Sequence, residues 1–141
     1  IVEITKQLRG RIFTDKEGVQ REIDWLDILF VAPFNHQVNK LGNALAVLSG
    51  GEQARVGSVD KFQGQEAPVV VLSMCTSDAS ESPRGIDFLF DRRRLNVAVS
   101  RAQSLAIVVA NPALAKTPVN CVDQLGKVNM FASLLRYRPH D

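Results

Sequence analysis

Two polar stretches of this chain hold side chains that could do chemistry on a phosphate. The first, Val56-Gly57-Ser58-Val59-Asp60-Lys61-Phe62-Gln63-Gly64-Gln65-Glu66, ends just before the apolar run Val69-Val70-Val71-Leu72. The second, Arg92-Arg93-Arg94-Leu95-Asn96-Val97-Ala98-Val99-Ser100-Arg101-Ala102, sets Arg94 and Arg101 seven positions apart. Seven residues are two helical turns, so a helix here would project both guanidinium groups from nearly one face. A guanidinium held on a rigid element can meet a phosphate or brace a carboxylate, and it can stabilise charge during phosphoryl transfer. In the first stretch, Ser58 and Asp60 offer short polar groups suited to a nucleic-acid phosphate, a strand-end cap or a neighbouring loop. Glu66 could accept hydrogen bonds from a ribose hydroxyl. Gly64 would let the backbone turn tightly or come close to a ligand. Taken singly, each residue has a plainer reading: Asp60 as a helix cap, Gln63 as a surface amide, Glu66 as a solvated charge. The arginines 84, 92, 93, 94 and 101, taken without their neighbours, would be a solvated helix face.

The elements that must position these groups alternate between strand and helix patterns. Apolar residues at 1, 2, 4 and 8 fit helical turns stopped by Gly10. Residues 11–24 mix charges with Gly18 and predict a long loop or short hairpin with no assignable chemistry. Residues 27–32 form an apolar run closed by Pro33, as suits a strand buried on both faces of a parallel sheet. A helix over 37–48, strands over 55–59, 69–74 and 104–110, and a sheet-packed helix over 89–101 follow. A closing amphipathic helix over 122–137 has apolar residues at 122, 125, 128, 131, 134 and 135. The alternation predicts an α/β layer architecture with a largely parallel sheet. In such sheets ligands bind beyond the carboxyl ends of the strands, which directs attention to residues 33–37, 60–66, 73–77 and Asn111.

Composition narrows the class. The 141 residues are 45% apolar and 23% charged, values of a folded globular domain with a sizeable core. A net charge of +2 is too small to argue nucleic-acid binding from the total. Cys75 and Cys121 are too few and too far apart for a zinc site or a disulfide framework, and both are expected to be buried thiols. No metal site is expected. The chain shows no membrane-length apolar stretch and no basic leader region, and a cytoplasmic location is the default expectation. It begins at Ile1 without an initiator Met, so it is expected to be part of a longer polypeptide.

The same residues carry a family resemblance. Residues 56–66, above all Ser58 to Glu66, resemble motif V of superfamily 1 helicases, and residues 92–102 resemble their motif VI. Ala32-Pro33-Phe34-Asn35-His36-Gln37-Val38, within residues 31–38, is similar to motif IV, and the three stand in the family's order. The nearest branch contains the nonsense-mediated decay helicase and related DNA replication and repair helicases, including bacterial proteins with a RecB-like nuclease domain. The resemblance covers residues 27–112.

That resemblance implies a RecA-like fold of the P-loop NTPase kind over residues 1–141, the second of two motor domains, with helices on both faces of its sheet. It implies an ATP-dependent helicase in which Arg101 is the arginine finger and Arg94 and Gln37 lie near the nucleotide phosphates. Glu66 would contact the ribose or phosphate region, with Gln63 and Gly64 in the same cleft. Ser58 and Asp60 would couple the nucleotide state to the bound strand. Some relatives carry an arginine directly after the glutamine of motif IV, where this chain has Val38, which shifts weight to the arginines of motif VI. The expected partners are single-stranded DNA, with RNA as the alternative, the N-terminal RecA-like domain of the same polypeptide, and a fused nuclease domain. No membrane partner is expected. ATP and Mg would be held mainly by that first domain, because this chain has no glycine-rich loop ending in Gly-Lys-Ser/Thr. Gly126-Lys127-Val128 lacks the upstream glycine and the hydroxyl residue. The chain by itself is therefore expected not to hydrolyse ATP. The rival readings are a non-catalytic nucleic-acid-binding module with a degenerate helicase fold, and an unrelated α/β domain binding a mononucleotide.

Overall fold

The computed structural model describes residues 1–74 and 85–136. Cys75, Ser77, Pro83, Arg84 and Tyr137, which figure in the sequence reading, lie outside the described residues. The chain divides into two compact units: Ile1–Cys75 with Val97–Val109, and Thr76–Asn96 with Ala110–Asp141.

The first unit is built on a parallel four-stranded sheet in the order β4-β3-β5-β6, where β3 is Ile28–Val31, β4 Arg55–Gly57, β5 Ala67–Ser73 and β6 Ala102–Val109. The predicted run 27–32 becomes β3 because every one of its residues can be buried: Ile28, Leu29 and Phe30 are all fully enclosed. One sheet face, carrying Ile28, Phe30, Val56, Val69 and Val71, packs with Leu8 of helix α1 (Val2–Leu8) and with Leu41 and Leu45 of helix α2 (Asn35–Ala46). The other face, with Leu29, Val31, Val70 and Leu72, is buried too, as a sheet covered on both sides requires. Residues 11–24 do form a short antiparallel hairpin, β1 (Ile12–Thr14) with β2 (Gln20–Glu22). Trp25 locks the region that follows. Its indole N–H donates to the Ser49 carbonyl at 3.0 Å, and the Arg9 guanidinium stacks on its ring at 4.6 Å.

Strand β5 starts two residues before its expected start at Val69, because the chain runs through Pro68 in extended form. Proline has no N–H to give to a ladder. The pairing with β6 is irregular there: Ala67 faces Ala102 while Val69 faces Leu105, so β6 carries one residue more than β5 across the proline.

The second unit holds α3 (Gly85–Leu89), the first residues of α4 (Arg92–Ser100) and α5 (Val122–Arg136). The helix expected over 89–101 thus forms as α4, starting at Arg92, while Leu89 ends the separate short helix α3. Asp91 caps α4: its Oδ1 accepts the backbone N–H groups of Arg93 at 2.9 Å and Arg94 at 3.1 Å, which are donors without intrahelical partners. Phe90 and Phe131 meet with ring centroids 5.3 Å apart and anchor α5. The amphipathic expectation for α5 holds for only part of its stripe. Val128 and Phe131 are buried, whereas Val122, Leu125, Leu134 and Leu135 are exposed. Cys121, expected to be buried, is exposed as well, because it precedes the helix on its open side. Lys127 bridges Asp87 at 2.6 Å and Asp123 at 2.7 Å, and those carboxylates, Asp123 foremost, hold its ammonium above its ordinary range. Among the described residues no helix is long and apolar enough to cross a membrane.

Candidate functional site

The motif residues of the first unit fall on two opposite edges of its sheet. At the amino edge, the Ala67 N–H donates to the Arg101 carbonyl at 3.1 Å, so Glu66 and Arg101 immediately precede the two paired strands β5 and β6. Helix α4 ends at Ser100, and the Arg101 N–H turns back to the Ala98 carbonyl at 3.4 Å. Arg101 therefore sits just past the end of the helix. The Arg101 Nε is buried and has no hydrogen-bond partner among the described residues. Leaving a buried donor unpaired costs about 1–3 kcal/mol; the Arg9 Nε is left in the same state, and both atoms are closed to solvent, so an acceptor would reach Arg101 Nε only if its surroundings move. Glu66 is exposed, and its Oε2 accepts from Gln103 Nε2 at 3.4 Å and faces Lys16 Nζ at 3.8 Å.

The loop from β4 to β5 crosses from one edge of the sheet to the other. Ser58 follows Gly57, which pairs with Val31 near the carboxyl ends, and Ser58 Oγ accepts the Lys61 N–H at 3.4 Å. A short 3-10 turn, Asp60–Phe62, buries the Phe62 ring and leaves Asp60 and Gln63 exposed. Arg55 and Lys61 lie over that ring. Arg55 also donates to Gln65 Oε1 at 2.7 Å, and Lys61 to the Val56 carbonyl at 2.8 Å. Gly64 takes φ of +78° with open space where a side chain would stand, so its backbone is approachable, as expected. Residues 60–66 thus do not gather beyond one carboxyl end, as the sequence suggested. They run toward the amino end of β5.

Gln37 lies at the other edge. It sits in the first turn of α2, and its Nε2 donates to Ser73 Oγ at 3.2 Å, at the carboxyl end of β5. From Ala67 to Ser73 the strand rises about 20 Å. The structure therefore brings Glu66 to Arg101 and Gln37 to Ser73, but does not bring Gln37 to Glu66. In the second unit, Arg94 stacks on the Phe88 ring at 4.4 Å. Lys16 and Gln103 escaped the sequence reading. Lys16 belongs to the hairpin segment that offered no chemistry, and Gln103 reaches Glu66 only through the irregular pairing beside Pro68, where the proline was the one legible signal.

A wholly parallel sheet flanked by helices, with its polar loops at the strand ends, is an α/β domain of the RecA-like class. Residues 2–113 match the family described as an AAA domain, and the chain belongs to that family. It is 38% identical over 128 residues to mov-10-B.1 of Danio rerio, covering 83% of this chain and 12% of that protein. It is 36% identical over 98 residues to RNA helicase Mov10l1 of Mus musculus, covering 67% of this chain and 8% of the relative. Regulator of nonsense transcripts 1 of Takifugu rubripes is 46% identical over 68 residues, covering 48% of this chain and 6% of the relative. The family match and these relatives bear out the resemblance to a superfamily 1 helicase domain of the nonsense-mediated decay branch. The chain spans about an eighth or less of the length of these curated relatives, their covered shares being 12%, 8% and 6%.

Proposed function

We propose that this chain is a motor domain of an ATP-dependent RNA helicase, with ATP at the amino edge of its sheet and the nucleic-acid strand at the carboxyl edge. The observation that carries this reading is the place of Arg101, whose backbone carbonyl accepts the Ala67 N–H at the start of the strand after Glu66 and whose buried Nε has no hydrogen-bond partner among the described residues. A guanidinium so placed can donate to charge that develops on a transferred phosphoryl group, without first breaking a protein hydrogen bond. Glu66 would accept from a ribose hydroxyl, and Gly64 with Gln63 would let the loop backbone lie against the nucleotide. Arg94 would need to leave the Phe88 ring to share a phosphate contact. Gln37, a strand's length from Arg101, fits the nucleic-acid edge with Ser58 and Asp60 better than the nucleotide cleft.

ATP supplies the free energy of hydrolysis that such a motor converts to movement. No Gly-Lys-Ser/Thr loop occurs in the sequence, and no three His, Cys, Asp or Glu side chains converge among the described residues, so the phosphate cradle and Mg would come from another RecA-like domain. The sequence alone leaned toward DNA. The printed names of the relatives, an RNA helicase and a regulator of nonsense transcripts, favour RNA in this proposal.

The test is ATP hydrolysis by the full-length protein with single-stranded RNA, with single-stranded DNA and with neither. RNA is expected to stimulate turnover more than DNA, and Arg101→Ala is expected to lower it by ~10³-fold or more while the protein stays folded. Wild-type protein that neither strand stimulates would favour a non-catalytic nucleic-acid-binding module, and an Arg101→Ala variant with intact turnover would refute the role given to Arg101.

A further inference from the structure

Resting on the amino-edge reading, we propose that Lys16 and Gln103 are positioning residues that hold the Glu66 carboxylate for a ribose hydroxyl. Both act on the same oxygen: Lys16 Nζ lies 3.8 Å and Gln103 Nε2 3.4 Å from Glu66 Oε2. Oε1 has no hydrogen-bond partner among the described residues. A glutamate side chain otherwise turns freely about three bonds, and holding it in one orientation removes an entropy cost from ligand binding. A hydrogen bond from Gln103 and an ion pair from Lys16 on one oxygen bias the carboxylate toward one orientation and leave the other oxygen to accept.

The elements that deliver these donors are built for it locally. Lys16 belongs to the turn of the β1–β2 hairpin, where Asp15 Oδ1 accepts the N–H groups of Glu17 at 3.0 Å and Val19 at 2.8 Å, a geometry that shapes the hairpin tip. The base of the same hairpin is tied down by the Arg21–Asp27 pair at 2.6 Å. Gln103 lies in the stretch of β6 that carries the extra residue opposite Pro68, and a bulge of this kind re-aims a side chain.

Equilibrium binding of ATP and of its 2′-deoxy and 3′-deoxy analogues to the full-length protein, by competition against a fluorescent nucleotide, tests this. Lys16→Ala and Gln103→Ala should each raise the Kd for ATP by about two- to fivefold, the range of an exposed ion pair or a single hydrogen bond. The same variants should leave the Kd of the deoxy analogue that lacks the contacted hydroxyl unchanged. Lys16→Arg should restore the wild-type value. Raising the salt should erase the Lys16 effect and spare the Gln103 effect, because the first is a screened charge pair. Variants that weaken ATP and both deoxy analogues equally, or that change none of them, would overturn the positioning role. Glu66→Ala separates the two levels of the argument. If it abolishes the preference for ATP over the deoxy analogue while Lys16→Ala and Gln103→Ala do not touch that preference, only this inference fails. If Glu66→Ala leaves the preference intact, the nucleotide reading of the amino edge fails and this inference falls with it.

Discussion

Replacing Asp27 by asparagine should loosen the hairpin from the sheet by an amount that its surroundings let us work out. The Asp27 side chain is 8% exposed and accepts three hydrogen bonds. Arg21 supplies a two-pronged pair at 2.6 Å each, and the Asp24 N–H adds one at 2.9 Å. Asparagine keeps the shape but sets an NH2 group against one prong of the guanidinium. Arg21 is 48% exposed and can rehydrate, so the loss falls short of the full cost of stranding a buried charge. The neutral amide is also cheaper to bury than a carboxylate. Charge-assisted bonds are worth about 1.5–3 kcal/mol each and a stranded buried partner about 3–5, so a net loss of about 2 kcal/mol is expected. Chemical denaturation at pH 7, wild type against Asp27→Asn, measures it. The pH dependence gives an independent check. Burial alone would push the Asp27 carboxyl up, but the Arg21 fork, the Asp24 N–H and the nearby Arg55 charge together hold it below its ordinary value. A depressed native value means that the unfolded chain binds the proton more readily, so the stabilisation is present above about pH 4 and is lost as pH falls through the lower native value. The gap between wild type and variant should therefore close in acid. A difference below about 0.5 kcal/mol at pH 7, within the range of an ordinary surface substitution, or a gap that persists unchanged at low pH, would refute the reasoning.

Three further outcomes can be measured directly. Gly51→Ala should destabilise by about 2–3 kcal/mol or more in thermal unfolding, because the new Cβ would fall on the backbone carbonyl of Leu45, which no rotamer change can relieve. Gly42→Ala, inside α2 with open space around the added carbon, should instead stabilise by roughly 0.5–1 kcal/mol. Cys121 should react with a thiol-specific reagent in the native protein, and peptide mapping that finds it unlabelled until denaturant is added would contradict its exposure.

What the sequence disclosed and what it hid divide along physical lines. Strand β3 was legible because burial on both faces leaves an unbroken apolar run that no amphipathic element tolerates. The hairpin was only half legible, because its charges and Gly18 suit a long loop as well. The start of β5 was hidden because a proline argues against a ladder, and only the neighbouring strand, by taking up an extra residue, makes room for it. That the helix expected from Leu89 starts instead at Arg92 was written in Asp91, whose carboxylate caps it. The exposed apolar residues of α5 were misread because periodicity reports which side chains share a face, not whether anything covers that face.

The arrangement of the motif residues was less legible than their pattern, and the reason lies in how parallel sheets are wired. Each connection must return from the carboxyl edge of one strand to the amino edge of the next, so a single motif can serve both edges without any change in its sequence pattern. Ser58 to Glu66 does so: Ser58 stands where β4 ends, Glu66 where β5 begins, and Phe62 pins the crossing between them. A loop of this kind is a mechanical link between the two edges. Under the proposed function, a shift of this loop about its Phe62 anchor would carry movement from Glu66 at one edge to Ser58 at the other, over no longer path than these nine residues.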